Sequence, residues 1–171
     1  MLNRDQILDA LSRVGDLLQQ RGLTGELLLA GGAAMSLVHH ARDMTKDVDA
    51  LFEPSAIIRE LARQVAEEKD LPEDWLNDGI KGYITENVSV NHFDIFNALT
   101  INTVAVDYLL AMKLRSSRHG TQDLNDIYFL LKKLNVKSYD EAVNILTRYI
   151  PKNQILPKVQ YILEEYFADY C

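Results

Sequence analysis

Residues Leu27–Phe52 read LLLAGGAAMSLVHHARDMTKDVDALF. The run Leu27–Ala30 is too short for an independent helix and long enough for a buried strand. It ends at Gly31–Gly32, after which Ala33–Val38 reads as helix. Glycines at such a junction permit positive φ and a close approach to the backbone. From Asp47 to Phe52 the alternation of polar and apolar residues fits a second strand. Asp47 and Asp49 then leave one face of it, roughly 7 Å apart along the backbone.

This pattern has a chemical reading and a plain one. A strand–glycine–helix junction presents free amides that can hold a triphosphate, or it is only a tight turn. Two carboxylates flanking Val48 can bridge a divalent ion. Mg²⁺ takes hard oxygen ligands and commonly combines one or two carboxylates with substrate phosphates. Two such ions activate an attacking hydroxyl and stabilise a leaving pyrophosphate. The plain alternative is a solvated edge strand carrying two ordinary acids.

Strand, Gly31–Gly32, helix and then Thr45-Lys46-Asp47-Val48-Asp49-Ala50-Leu51 resemble the signature of the nucleotidyltransferase superfamily, which polymerase-beta-like enzymes share. The chain is more closely similar to small prokaryotic nucleotidyltransferase-like proteins grouped with AbiEii-type toxins of toxin–antitoxin systems. Within them it resembles a branch carrying GGAAM (Gly31–Met35), R-x-M-T-x-D-V-D-A (Arg42–Ala50) and W-L-N (Trp75–Asn77). The resemblance runs from Leu27 to Leu134, and only the first motif is specific. Many active members have Gly-Ser where this chain has Gly31–Gly32, and that serine contacts nucleotide phosphate in them.

The resemblance implies transfer of an NMP from an NTP, with Mg²⁺ or Mn²⁺ as cofactor. The implied acceptor is RNA, such as a tRNA end, or a protein hydroxyl, and an antitoxin protein is an implied partner. Asp47 and Asp49 would hold the metal. Gly31, Gly32, Thr45 and Lys46 would meet the nucleotide. A third metal carboxylate is expected on a later strand, and Asp94 in His92-Phe93-Asp94-Ile95-Phe96 is the candidate, on a central strand facing the same cleft. The alternative for Asp94 is an edge-strand acid facing water. A later segment carried by Lys113, Leu114, Arg118, Asp123, Asp126 and Ile127 resembles further motifs of the same proteins, in which the lysine and an aspartate contribute to the nucleotide site.

The residues themselves bear on that segment. Lys113 follows Leu109 by four and Leu110 by three, so its stem lies on an apolar stripe. Its ammonium is aimed at developing phosphate charge or snorkels to water. Asp123 shares the stripe of Ile127, Leu130, Leu131 and Leu134 and needs a partner. That partner is either the nucleotide site or a structural ion pair with Arg118. Asp126 is expected to face solvent or to cap a neighbour.

Composition bounds the rest. The chain has 171 residues, of which 47% are hydrophobic and 25% charged, enough for one ordinary globular core. No apolar stretch suits a membrane span and no export signal is read, so the expected location is the cytoplasm. Cys171 is the single cysteine, which excludes an intrachain disulfide and a cysteine metal site. A net charge of -7 argues against a broad basic surface for long nucleic acid. Any such substrate would need a local patch, for which Lys113, Arg115, Arg118 and His119, with Arg42 and Lys46, are candidates; a solvated helix end is the alternative. His39, His40 and His92 lack partners at metal spacing.

Along the chain, Asn3 or Asp5 caps a first helix that Gly22 and Gly25 end. Pro54 suits the first turn of a helix to Lys69. Strands are predicted at Tyr83–Thr85, Val88–Val90, Phe93–Phe96 and Ile101–Val104. Helices follow near 106–117, 121–134, 138–149 and 154–169. The expected fold is α+β: a nucleotidyltransferase-like small mixed sheet flanked by helices over 1–105, then a C-terminal helical bundle over 106–171 that does not fold independently. A second function fits the same residues, a catalytically inactive nucleotidyltransferase-like binding module acting through a protein partner. The Tyr161, Tyr166, Phe167 and Tyr170 cluster is a closing helix or an interface.

Overall fold

A computed structural model describes residues 1–118 and 122–170. It confirms the α+β class and divides into two compact units, Met1–Ile84 with Val90–Val104, and Thr85–Ser89 with the chain from Ala105 onward.

The first unit begins with β1 (Leu2–Asn3) and α1 (Arg4–Gln20), whose N-terminus is closed by a capping box: Asn3 accepts from the Gln6 amide and the Gln6 side chain accepts from the Asn3 amide. Gly22, at φ 66, turns the chain out of the helix. Then follow β2 (Gly25–Leu29), α2 (Gly31–Leu37), β3 (Met44–Thr45), β4 (Val48–Glu53), α3 (Ser55–Lys69), β5 (Leu76–Asn77), a 3₁₀ turn over Gly79–Gly82, and the hairpin of β6 (Val90–Phe96) and β7 (Leu99–Val104). The five-stranded sheet has the order β5-β4-β2-β7-β6, and β1 pairs separately with β3. β2 runs antiparallel to β4 and parallel to β7, so the sheet is mixed.

Alternation sorts the two faces of the sheet. Val48, Ala50 and Phe52 join Leu27, Leu29, Leu99 and Ile101 in the core with α1 and α3. Leu28 and Leu51, which pair with each other, leave by the other face, together with Asp49 and Glu53. Arg13 on α1 forks onto Glu68 of α3 at 2.7 Å and 3.1 Å. That fork and a hydrogen bond from Gln64 hold the Glu68 carboxyl at about 2, below its ordinary range. Trp75 is fully buried and donates to the Ala62 carbonyl oxygen at 2.9 Å, which anchors β5 beside β4.

Two expected strands are absent. Over Tyr83–Thr85 the amides find other partners: Tyr83 donates to the Ile80 oxygen at 2.8 Å, Ile84 to the same oxygen at 3.3 Å, and Thr85 to the Tyr108 hydroxyl at 2.8 Å. Val88 donates to Thr85 at 3.3 Å, and only Val90 belongs to a strand. β-branched composition there yields to local hydrogen bonding at the end of the 3₁₀ turn. Pro54 is the N-cap of α3 rather than a residue of its first turn.

The second unit holds α4 (Val106–Ser116), α5 (Gln122–Lys133), α6 (Tyr139–Leu146), a 3₁₀ turn over Lys152–Gln154, and α7 (Pro157–Tyr170). Ser138 caps α6 by accepting from the Glu141 amide at 3.2 Å. The predicted helices are present with shifted ends; the last begins at Pro157, after the 3₁₀ turn over Lys152–Gln154. Tyr166 is buried and stacks on Tyr170, so part of the aromatic cluster closes the unit on itself, while Tyr161 is exposed. Among the described residues no helix is long and apolar enough to cross a membrane.

Gly15 lies inside α1, where alanine would ordinarily favour the helix by about 0.5–1 kcal/mol. A Cβ there would fall on the Phe96 carbonyl oxygen, well inside contact distance. Backbone cannot rotate away as a side chain can, so Gly15→Ala should lower unfolding free energy by about 1–3 kcal/mol. Urea denaturation reads the sign directly, and a stabilised variant would refute this close packing of α1 on the hairpin.

Candidate active site

The local fold brings the Gly31–Gly32 turn and the Asp47–Asp49 segment together in the first unit. β2 and β4 pair with Leu29 opposite Ala50, and the Ala30 amide donates to the Asp49 carbonyl oxygen at 3.1 Å. The chain then leaves β2 through Gly31 at φ 58, a left-handed conformation that only glycine adopts cheaply. A Cβ on Gly31 would sit 2.7 Å from Asp49 Oδ2. Both the backbone angle and the space therefore demand glycine, and the reason is the Asp49 carboxylate.

Gly32 has a different neighbour. Its Cβ would sit 2.6 Å from Thr45 Oγ1 and 3.3 Å from an Arg42 guanidinium nitrogen. Thr45, which is buried, donates from the same hydroxyl to the Asp47 carbonyl oxygen at 3.2 Å. A serine at position 32 would thus collide with a hydroxyl that the chain already supplies from β3. No side chain caps α2, whose N-cap is Ala30.

Asp47 does not continue β4, as the alternation suggested; it occupies the bend just before it, half-buried. Asn77 of β5 donates to Asp47 Oδ2 at 3.2 Å. β5 lies parallel to β4 with Asn77 opposite Asp49, so one short strand beside Trp75 orients the Asp47 carboxylate. Asn77 is the functional candidate that residue-by-residue reading passed over, although the Trp75-Leu76-Asn77 block was its signal. Lys46 is exposed beside them.

Asp94 is placed elsewhere. It lies on β6, the edge strand, not a central one, and is exposed with its Oδ1 accepting from the Ile95 amide at 2.8 Å. A bulge between His92 and Asp94 sets Asp94 opposite Ile101, whose side belongs to the core face, whereas Asp49 leaves by the other. With β2 and β7 between β4 and β6, and strands about 4.8 Å apart, Asp94 does not share a metal site with Asp49. Among the described residues no group of three His, Cys, Asp or Glu side chains is arranged to hold an ion.

Lys113 and Asp123 belong to the second unit, where Lys113 is buried as its helical position predicts. Its ammonium lies 3.1 Å from Asp123 Oδ1 and 2.9 Å from Asp126 Oδ2. Asp126, expected at the surface, is 1% exposed and is the inner member of this ion triad. A buried carboxylate on the α5 stripe needs such a partner, and the lysine meets it there. The basic patch divides likewise: Arg42 and Lys46 are in the first unit, Lys113, Arg115 and Arg118 in the second, and His119 lies outside the described residues, as does Cys171. His39 is buried, and His40 and His92 are exposed.

Two stability comparisons test these contacts. Gly22 also has positive φ, but no atom lies within 4 Å of where its Cβ would stand, so Gly22→Ala should cost only the backbone term, about 1 kcal/mol. Gly31→Ala adds the collision with Asp49 and should cost clearly more; equal losses would refute the close approach. Asp126→Ala leaves the Lys113 ammonium short of its inner partner and should cost about 3–5 kcal/mol, whereas Lys113→Met with Asp126→Leu should cost much less. Equal losses for the single and double variants in chemical denaturation would remove the triad from the account.

No protein-family model, curated protein or solved structure matches this chain.

Proposed function

We propose that the first unit is a metal-dependent nucleotidyl-transfer centre that moves an NMP from an NTP to an acceptor. The observation that carries this reading is the seating of Asp49 against Gly31, with Asp47 oriented beside it by Asn77. Few structural needs place two half-buried acids around one buried valine at the mouth of a glycine turn.

Asp47 and Asp49 are the residues that would hold Mg²⁺ or Mn²⁺. Two carboxylates suit an ion that completes its shell with water and substrate phosphate oxygens, which is the usual habit of Mg²⁺. When bound, the ion supplies charge neutralisation at the phosphates and lowers the pKa of the attacking hydroxyl. Asn77 fixes the plane of the Asp47 carboxylate, and Thr45 fixes its backbone. The Gly31–Gly32 backbone, without Cβ atoms, admits phosphate oxygens to the amides of the turn, and Lys46 adds a nearby positive charge. The Thr45 hydroxyl stands beside Gly32, where the family's serine would otherwise put one. The acceptor in this reading is RNA, such as a tRNA end, or a protein hydroxyl, and an antitoxin protein would restrain a toxin of this kind in the cytoplasm.

A second reading has its own observation. Asp94 lies on the edge strand and faces away from Asp49, so the third carboxylate of an active centre is not supplied where the sequence suggested it. That favours an inactive nucleotidyltransferase-like module that binds nucleotide and acts through a partner.

Calorimetric titration of each NTP, with and without Mg²⁺, tests both. Metal-dependent binding should appear in the wild type and fall at least about tenfold in Asp47→Asn/Asp49→Asn. Absence of any metal-dependent binding sinks both readings. Pyrophosphate release in the presence of acceptor then supports transfer, and binding without release supports the module.

A further inference from the structure

We propose that a cleft of about 290 Å³ beside α2, with Arg4, Ser36, His40 and Arg42 among its lining residues, binds a small phosphate-type oxyanion. β1 pairs with β3, Asn3 opposite Met44, and this short ladder draws the start of α1 to the segment that follows α2. Arg4 and Arg42 thereby come to line one cleft, although they are far apart in sequence.

The placement of Arg4 calls for an explanation. It is the first residue of α1, where the helix dipole favours anions and disfavours a cation. The amides that an anion would otherwise meet at this terminus are partly taken by the Asn3 capping box. Helix stability therefore gives no reason for an arginine here. Its Nε is buried without a hydrogen-bond partner among the described residues, and so is Oγ of Ser36, a residue only 1% exposed. Buried polar groups in folded proteins are nearly always paired, and two orphans border the same cleft. Arginine can only donate, and a serine hydroxyl donates readily. A guest rich in acceptor oxygens satisfies both after a rotamer change at each, and the guanidinium fork matches phosphate in particular.

Asp5 and Asp43 also line the cleft, and both are exposed. At the rim their charges are hydrated and screened by salt. They oppose the approach of a long polyanion more than that of a single small one, which favours a small phosphate over a nucleic-acid backbone. Ser36 lies one helical turn beyond Gly32 on the same face of α2, and Arg42 borders both Gly32 and the cleft. The oxyanion site thus adjoins the Gly31–Gly32 turn, but it needs neither a metal nor the transfer reaction.

The test is titration of the wild type with inorganic phosphate and with pyrophosphate, followed by calorimetry and by ³¹P NMR, without divalent metal and at constant ionic strength. Saturable binding is expected. Arg4→Gln should weaken it about tenfold or more and Ser36→Ala about threefold or more. The Asp47→Asn/Asp49→Asn variant should bind phosphate at least as tightly as the wild type. No saturable binding by the wild type overturns the proposal, as does wild-type affinity in both Arg4→Gln and Ser36→Ala. Should Arg4→Gln fail to fold, Ser36→Ala alone decides. Loss of phosphate binding in the double aspartate variant would assign the anion to the other site and overturn this one. Phosphate binding without any metal-dependent NTP binding would uphold the cleft while removing the nucleotidyl-transfer reading.

Discussion

The contact on which the first unit's candidate centre depends is the approach of the Asp49 carboxylate to the Gly31 backbone. It is constrained from both sides. Antiparallel pairing of Leu29 with Ala50 brings the exit of β2 to the entry of β4, and the amide of Ala30 bonds to the oxygen of Asp49. The chain must then turn at positive φ with no side chain in the way. A larger residue would displace the carboxylate or the turn, and with either the register that sets Asp47 beside Asn77. The turn, the strand pair and the acid form one geometric unit.

The same geometry bears on the Gly31–Gly32 pair, whose second glycine departs from the Gly-Ser often found in the proteins that the sequence resembles. Read alone, the second glycine is a missing hydroxyl. In the fold, the space beside it holds Thr45 Oγ1 and the Arg42 guanidinium. Thr45 is buried and tied to the Asp47 backbone, so its hydroxyl is fixed rather than free to rotate. The glycine is therefore the partner of a threonine packed from β3, and a serine would compete with it for one volume.

What was legible in the sequence follows the range of the physics. The cap of α1, for which Asn3 is one of two candidates, and the strand–glycine–helix junction depend on residues a few positions apart, and local pattern finds them. The strand order does not. Asp94 sits among aromatic and β-branched residues that read as a central strand, yet Phe93 and Phe96 pack on the core from an edge, and a bulge turns the acid out of line. Asp126 reads as a surface residue until Lys113, on another helix, is found against it. Asn77 takes its meaning from Trp75, whose indole locks β5 beside β4. Each of these depends on a long-range partner that no local pattern encodes. Tyr83–Thr85, strand-like by composition, forms no strand because the Tyr83 and Ile84 amides turn back to the Ile80 oxygen and the Thr85 amide donates to the Tyr108 hydroxyl.

Net acidity does not conflict with phosphate handling, because the relevant charges are local. Arg42 borders Gly32 while Asp49 borders Gly31, so consecutive glycines carry a guanidinium on one side and a carboxylate on the other. Arg42 also lines the cleft that holds Arg4 and Ser36. Arg42 thus borders both the glycine turn of the first proposal and the cleft of the second. An oxyanion seated in the cleft draws positive charge toward itself and leaves the carboxylates more dependent on a cation. A cation held by Asp47 and Asp49 leaves the guanidinium more available to the anion. Binding free energies coupled in this way are reciprocal, so metal and phosphate would each raise affinity for the other. Such coupling suits a centre whose ion arrives together with its phosphates.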